Sequence, residues 1–124
     1  MREIASKLIE ILKQQAEVFL LDAGEFFPFG TYINMQNEII PMSAYFENDQ
    51  TSTAEVIELL EKALKDKIEK KECQIGAIGI DVTIKDNQVS YEAIAIRFFE
   101  PEKEVYKIYF EYVINENTVE FSQA

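Results

Sequence analysis

Histidine is absent from these 124 residues, cysteine occurs once, and there are only four glycines and three prolines. The lack of histidine removes Ser-His-Asp and Cys-His catalysis and most zinc sites together. Cys73 stands alone, so no intramolecular disulfide can form, and no Asn-x-Ser/Thr sequon occurs. Scarce glycine and proline beside 48% hydrophobic and 12% aromatic residues exclude a disordered chain. No apolar run approaches the roughly 18 residues that span a bilayer. The N-terminal stretch carries Glu3, Lys7 and Glu10 among its apolar residues, which is unlike a signal peptide. These absences predict a soluble, cytoplasmic protein of bacterial type, a single domain over residues 1–124 with 117–124 as a tail that pairs or frays.

Positive charge is also scarce. Twelve Lys and Arg face 23 Asp and Glu, a net charge of −11. Nucleic acid and anionic membranes are therefore poor partners, since both need cations on the protein side. A basic protein partner is compatible. No Lys or Arg lies between Lys13 and Lys62, a span that holds nine acids. Five lysines follow at 62, 65, 67, 70 and 71, so the charge is polarised along the chain.

Periodicity predicts the elements. Ile4, Leu8, Ile11, Leu12, Ala16, Phe19 and Leu20 form a helical stripe over 3–22, and Gly24 fits a left-handed C-terminal cap. Residues 30–46 read as a hairpin turning at Gln36-Asn37, with Pro41 marking the second strand as an edge. Ser52-x-x-Glu55 is a capping-box signature opening a helix over 53–71, with Val56, Ile57, Leu60, Leu64 and Ile68 on one face. Strands follow at 75–85, 88–99 and 104–115, the first two joined through Asp86-Asn87. The last is apolar on both sides, as a central strand or an interface would be. The expected fold is α+β: a two-layer, mainly antiparallel five-stranded sheet with two helices on one face, in the order α-β-β-α-β-β-β. That order resembles the roadblock and profilin-like arrangement.

No motif supplies chemistry. There is no Walker loop, and Gly76-x-x-Gly79 lacks the third glycine and following helix of a dinucleotide site. These two glycines read instead as places where a strand passes close under a helix. Glu47-Asn48-Asp49 lacks the glycine and distal Glu of a calcium loop. Cys73 follows Lys70-Lys71-Glu72, where cations could lower a thiol pKa, against the simpler reading of a partly buried bystander. Asp22 and Glu25 are a carboxylate pair beside aromatics, a weak basis for acid-base work. No cofactor, metal site or catalytic residue is expected.

The least ordinary stretch is Leu20-Leu21-Asp22-Ala23-Gly24-Glu25-Phe26-Phe27-Pro28-Phe29-Gly30. Connecting loops run over the surface and are usually polar. Here Phe26, Phe27 and Phe29 either plug the end of the core or form an aromatic patch ringed by acid. The candidate partner-binding residues are Asp22, Glu25, Phe26, Phe27, Phe29, Glu47 and Asp49.

The same segment, with Ile78-Gly79-Ile80-Asp81-Val82 and Glu92-Ala93-Ile94-Ala95-Ile96, resembles a family of small bacterial proteins. Their signature is Leu-x-Gly-Glu-aromatic-x-Pro-Phe-Gly before a hairpin, a helix and an aliphatic strand ending in Asp-Val. The likeness spans about residues 18–112 and implies a shared fold but no activity; the family's terminal Pro-Tyr is replaced here by Glu111-Tyr112.

Three functions fit these features. The first is a protein-interaction module, with an immunity-type inhibitor of a basic toxin as one specific form. The second is a roadblock-like structural module that forms a homodimer. The third is a small-ligand sensor or enzyme using acids near the Phe loop, which calls for a deep pocket holding Asp22, Glu25 or Asp81 with a raised pKa.

Overall fold

A computed structural model describes residues 3–42 and 52–123. Its order is α1 (Glu3–Ala23), β1 (Phe29–Asn34), β2 (Ile39–Met42), α2 (Thr53–Glu69), β3 (Cys73–Asp86), β4 (Val89–Phe99), β5 (Tyr106–Ile114) and β6 (Val119–Gln123). The six strands form one antiparallel sheet in the order β2-β1-β3-β4-β5-β6. The α+β class stands, with a sixth strand where five were expected. The addition is the tail: Val119 and Phe121 pair with Ile114 and Tyr112. The backbone N–H of Val119 also donates to Glu17 Oε2 at 2.9 Å, tying β6 to α1.

The helices do not share a face of the sheet. α1 packs with Phe29, Ile33, Ile75, Ala77, Ile94 and Ile96. α2 packs with Tyr32, Ile78, Ile80, Ala95 and Phe99. These sets alternate along each strand, and alternate residues point to opposite faces. The arrangement is three layers, helix on sheet on helix, not two. Small residues explain why the sequence pattern misleads here. Residues 75–80 are buried without interruption. Gly76 and Ala95, which look like the weak face of a one-sided strand, leave room for α2 to come close. A Cβ on Gly76 would lie 2.4 Å from Leu64 Cδ2, whereas one on Gly79 would meet Phe29 on the other face. The close passage of a helix therefore applies to Gly76 alone.

Local signals otherwise match the elements. Ser52 accepts a hydrogen bond from the N–H of Glu55 at 3.2 Å, capping α2. Gly24 adopts φ 77°, with its N–H donating to Leu20 O at 2.8 Å, and closes α1 as a left-handed cap. The buried face of α1 is rotated from the expected stripe: Ile9 and Ala5 are buried, Ile11 is half-buried and Phe19 is exposed. Pro41 lies in β2, an edge strand, where a missing donor costs no ladder bond. The expected continuation of that strand through 43–46 lies outside the described residues. The β3-β4 hairpin turns on Asn87 and Gln88, both at positive φ, which matches the right-handed twist of its strands. β5 lies between β4 and β6, but the burial expected of both its faces is not found: Phe110 and Tyr112 are buried, Tyr109 is half-buried, and Val113 and Ile114 are exposed.

Polar ties cross the layers on both sides of the sheet. Arg97 of β4 is ion-paired with Glu61 of α2. On the other side, Lys13 of α1 sits over the Phe110 ring at 4.1 Å, covering β5.

Cys73 is the first residue of β3 and is 1% exposed. Burial pushes its thiol up to about 11, against the lowering influence of the Ile75 backbone and of Lys67. The lysine-rich neighbourhood does not activate it, because desolvation of a thiolate outweighs a distant ammonium. The native protein is expected to resist a disulfide-exchange reagent at pH 8 and to react fully in urea. A rapid native reaction, measured by thiolate release, would contradict this burial.

Candidate functional site

The Phe loop is where α1 hands the chain to the sheet. Gly24 turns it, and Pro28 is buried and follows a trans peptide. The three phenylalanines then divide. Phe29 is buried at 8% exposure and makes edge-to-face contacts, each with ring centroids 5.5 Å apart, with Phe19 and Phe26. Phe26 is half-buried against the same core. Phe27 points outward and is 72% exposed, the most exposed large apolar side chain among the described residues. The loop is thus a core plug at two positions and a surface feature at one.

Asp81 holds the loop to the sheet. Its Oδ2 accepts from the N–H of Phe26 at 3.3 Å, and its Oδ1 accepts from the Tyr112 hydroxyl at 2.7 Å. One carboxylate therefore joins the loop, β3 and β5. Asp81 belongs to the aliphatic strand signature and to the acids of the small-ligand reading, but not to the expected partner-binding residues. The available signal was an acid amid the run Ile78–Val82, a position that burial normally forbids without partners.

Two open clefts flank this carboxyl. The first, of about 330 Å³, is walled by Ala23, Phe26, Phe27, Pro28 and Thr53. The second, of about 260 Å³, is walled by Gly24, Glu92, Tyr112 and Ile114. Glu25 and Asp81 belong to both. Among the described residues no Lys or Arg lines either cleft. Of the expected residues, Glu25, Phe26 and Phe27 meet here, with Phe29 as the support beneath. Asp22 is exposed on the last turn of α1 and walls neither cleft. Glu47 and Asp49 lie outside the described residues. Among the described residues no group of His, Cys, Asp or Glu is placed to hold a metal ion.

Partial burial raises the Asp81 pKa above the ordinary carboxylate value. Hydrogen bonds from Tyr112 and Phe26 oppose this, and nearby Glu92 and Glu25 add to it. The Tyr112 hydroxyl is pushed up as well, first by burial and then by donating to Asp81. An acid with a raised folded pKa adds stability that is full below its unfolded pKa and lost as pH rises through the folded one. The Asp81 contribution is therefore greatest in acid. Carboxyl-carbon NMR should show Asp81 titrating above the ordinary value of about 3.9. Tyr112→Phe should raise its midpoint further, because it removes a donor that favours the carboxylate. A lower midpoint in Tyr112→Phe would refute this reading of the hydrogen bond.

Fold and site together define an α+β protein with three layers and two adjoining, acid-walled clefts beside an exposed aromatic. No family model matches the chain, and neither a curated protein nor a solved structure matches it. No helix among the described residues is long and apolar enough to cross a membrane.

Proposed function

We propose that this protein is a protein-interaction module that docks a partner through the Gly24–Phe29 loop, with Phe27 as the anchor and the partner basic in character. The observation that carries this reading is the division of the three phenylalanines. Phe26 and Phe29 hold the loop in the core while Phe27 is left 72% exposed. A large apolar side chain on a pinned loop loses little conformational freedom on binding, and aromatic anchors dominate interface energies. The net charge of −11 and the acids beside the loop favour a basic partner over nucleic acid or an anionic membrane. The chain offers no histidine or reactive thiol for catalysis, and the proposal assigns it no enzymatic role.

The test is affinity capture from a lysate of the source cell at low and high salt, with wild type and Phe27→Ala. A partner retained by wild type, lost with Phe27→Ala and weakened by salt is the expected result. Equal retention by a folded Phe27→Ala protein would overturn the docking role of the loop.

A second reading, binding of a small cationic ligand, draws on the Asp81 carboxyl between two open clefts. It differs in its test: chemical-shift changes with a free amine or guanidine alone, independent of Phe27.

A further inference from the structure

We infer that the two clefts form one bipartite seat for an extended, basic peptide segment of the partner, taking an apolar side chain beside Phe27 and a lysine or arginine side chain beside Glu92. This rests on the interaction-module reading of the loop.

The walls of the two clefts differ in kind. The first is mostly apolar, built from Ala23, Phe26, Phe27 and Pro28. The second holds Glu25, Asp81 and Glu92 around the Tyr112 ring and Ile114. They adjoin, because Glu25 and Asp81 stand between them. An extended peptide places residues i and i+2 on one side, about 7 Å apart, so one strand of partner chain can fill both. The charges sort the order of the pair. With three carboxylates and, among the described residues, no cation on its walls, the second cleft favours a positive side chain and rejects a negative one. A long aliphatic stem ending in a cation also suits Tyr112 and Ile114, which can pack its methylenes while the carboxylates meet its head. Asp81 cannot move to meet the ligand, since both its oxygens already accept hydrogen bonds. Glu25 is exposed and supplies the adjustable charge, while Glu92, also exposed, is oriented by the Thr83 hydroxyl, which donates to its carboxylate at 3.0 Å.

The seat makes a prediction that a merely acidic surface does not: both halves of the peptide matter, and they fail separately. The probe is the capped tripeptide acetyl-Leu-Gly-Arg-amide, titrated into the ¹⁵N-labelled full chain and followed by amide shifts. The controls are acetyl-Leu-Gly-Gln-amide and acetyl-Gly-Gly-Arg-amide. Saturable shifts at Gly24 to Phe27 and Asp81 are expected, with each control weaker by about fivefold. Glu25→Gln/Glu92→Gln, at two exposed positions, should abolish the preference for Arg over Gln and keep the response to Leu. Phe27→Ala should do the reverse. Equal affinity for the Arg and Gln peptides overturns the inference, as do shifts confined to other surfaces. If the tripeptides fail while Phe27-dependent capture of a partner persists, the bipartite seat falls and the module reading stands. If capture does not depend on Phe27, that reading falls on its own result.

Discussion

Phe29→Ala is expected to lower the stability of this protein by about 3–5 kcal/mol, while Phe27→Ala, two residues away, is expected to change it by less than about 0.5 kcal/mol. Phe29 is buried, touches Phe19 and Phe26 edge to face, and rests its ring edge over Gly79, where a Cβ would come within 2.9 Å of Cζ. Alanine there removes the ring from all three contacts and leaves a cavity between α1 and the sheet. The backbone bond from Phe26 to Asp81, at 3.3 Å, then holds the loop together with the half-buried Phe26 ring and Pro28. Amide exchange at Phe26 should accelerate in Phe29→Ala by more than the global loss explains. Phe27, mostly in solvent, has no comparable contacts to lose. Urea denaturation of both variants measures the contrast. Similar stability for the two would mean that the loop is not supported as the structure places it.

The second large effect is on the opposite face. Gly76→Ala is expected to cost about 1–3 kcal/mol, although alanine is the better residue for an ordered strand by propensity. The new Cβ would fall 2.4 Å from Leu64 Cδ2 and 3.3 Å from its Cγ and Cδ1. Leu64 is fully buried, and Gly76 sits inside the sheet, paired with Tyr32 of β1 and Phe99 of β4, so neither backbone can retreat. Leu64→Ala alone should cost about 2–5 kcal/mol by leaving a cavity. In the double variant the added methyl occupies part of that space. The two single losses should then exceed the double loss by about 1 kcal/mol or more. Strict additivity in denaturant titrations would show that α2 does not sit on Gly76.

Both effects come from features that the linear pattern conceals. Periodicity is local, so it located α1, α2 and the long β3-β4 hairpin closely, and turn and cap chemistry located their ends. Ser52, Gly24 and Pro41 each act through their own backbone or that of a near neighbour, which makes them readable in one dimension. The side of the sheet on which a helix lies is different. Gly76 and Ala95 carry too little side chain to signal a buried face, yet their smallness is what admits α2. The sixth strand pairs with β5 as a hairpin and is tied to α1 by a contact across 102 residues, from Val119 to Glu17. Its sequence alone left pairing and fraying open.

The candidate site divides in the same way. The unusual density of phenylalanine in a loop drew attention to the right segment, because large apolar side chains in a connection need an explanation wherever they point. Which of them points outward is decided by the ring packing of Phe29 between Phe19 and Phe26. Asp81 and Glu92, distant in sequence from the loop, join it only because β3 and β4 run beneath the end of α1.

By itself, then, the sequence determined the α+β class, the register of caps and turns, the excess of acid and the loop that carries the phenylalanines. These depend on propensity, composition and interactions a few residues apart. Tertiary structure decided that the helices lie on opposite faces, that Cys73 is buried, that Phe27 alone of its three faces solvent, and that Asp81 ties loop to sheet. Those outcomes depend on contacts between residues tens of positions apart, whose energies arise only once the sheet has brought them within touching distance.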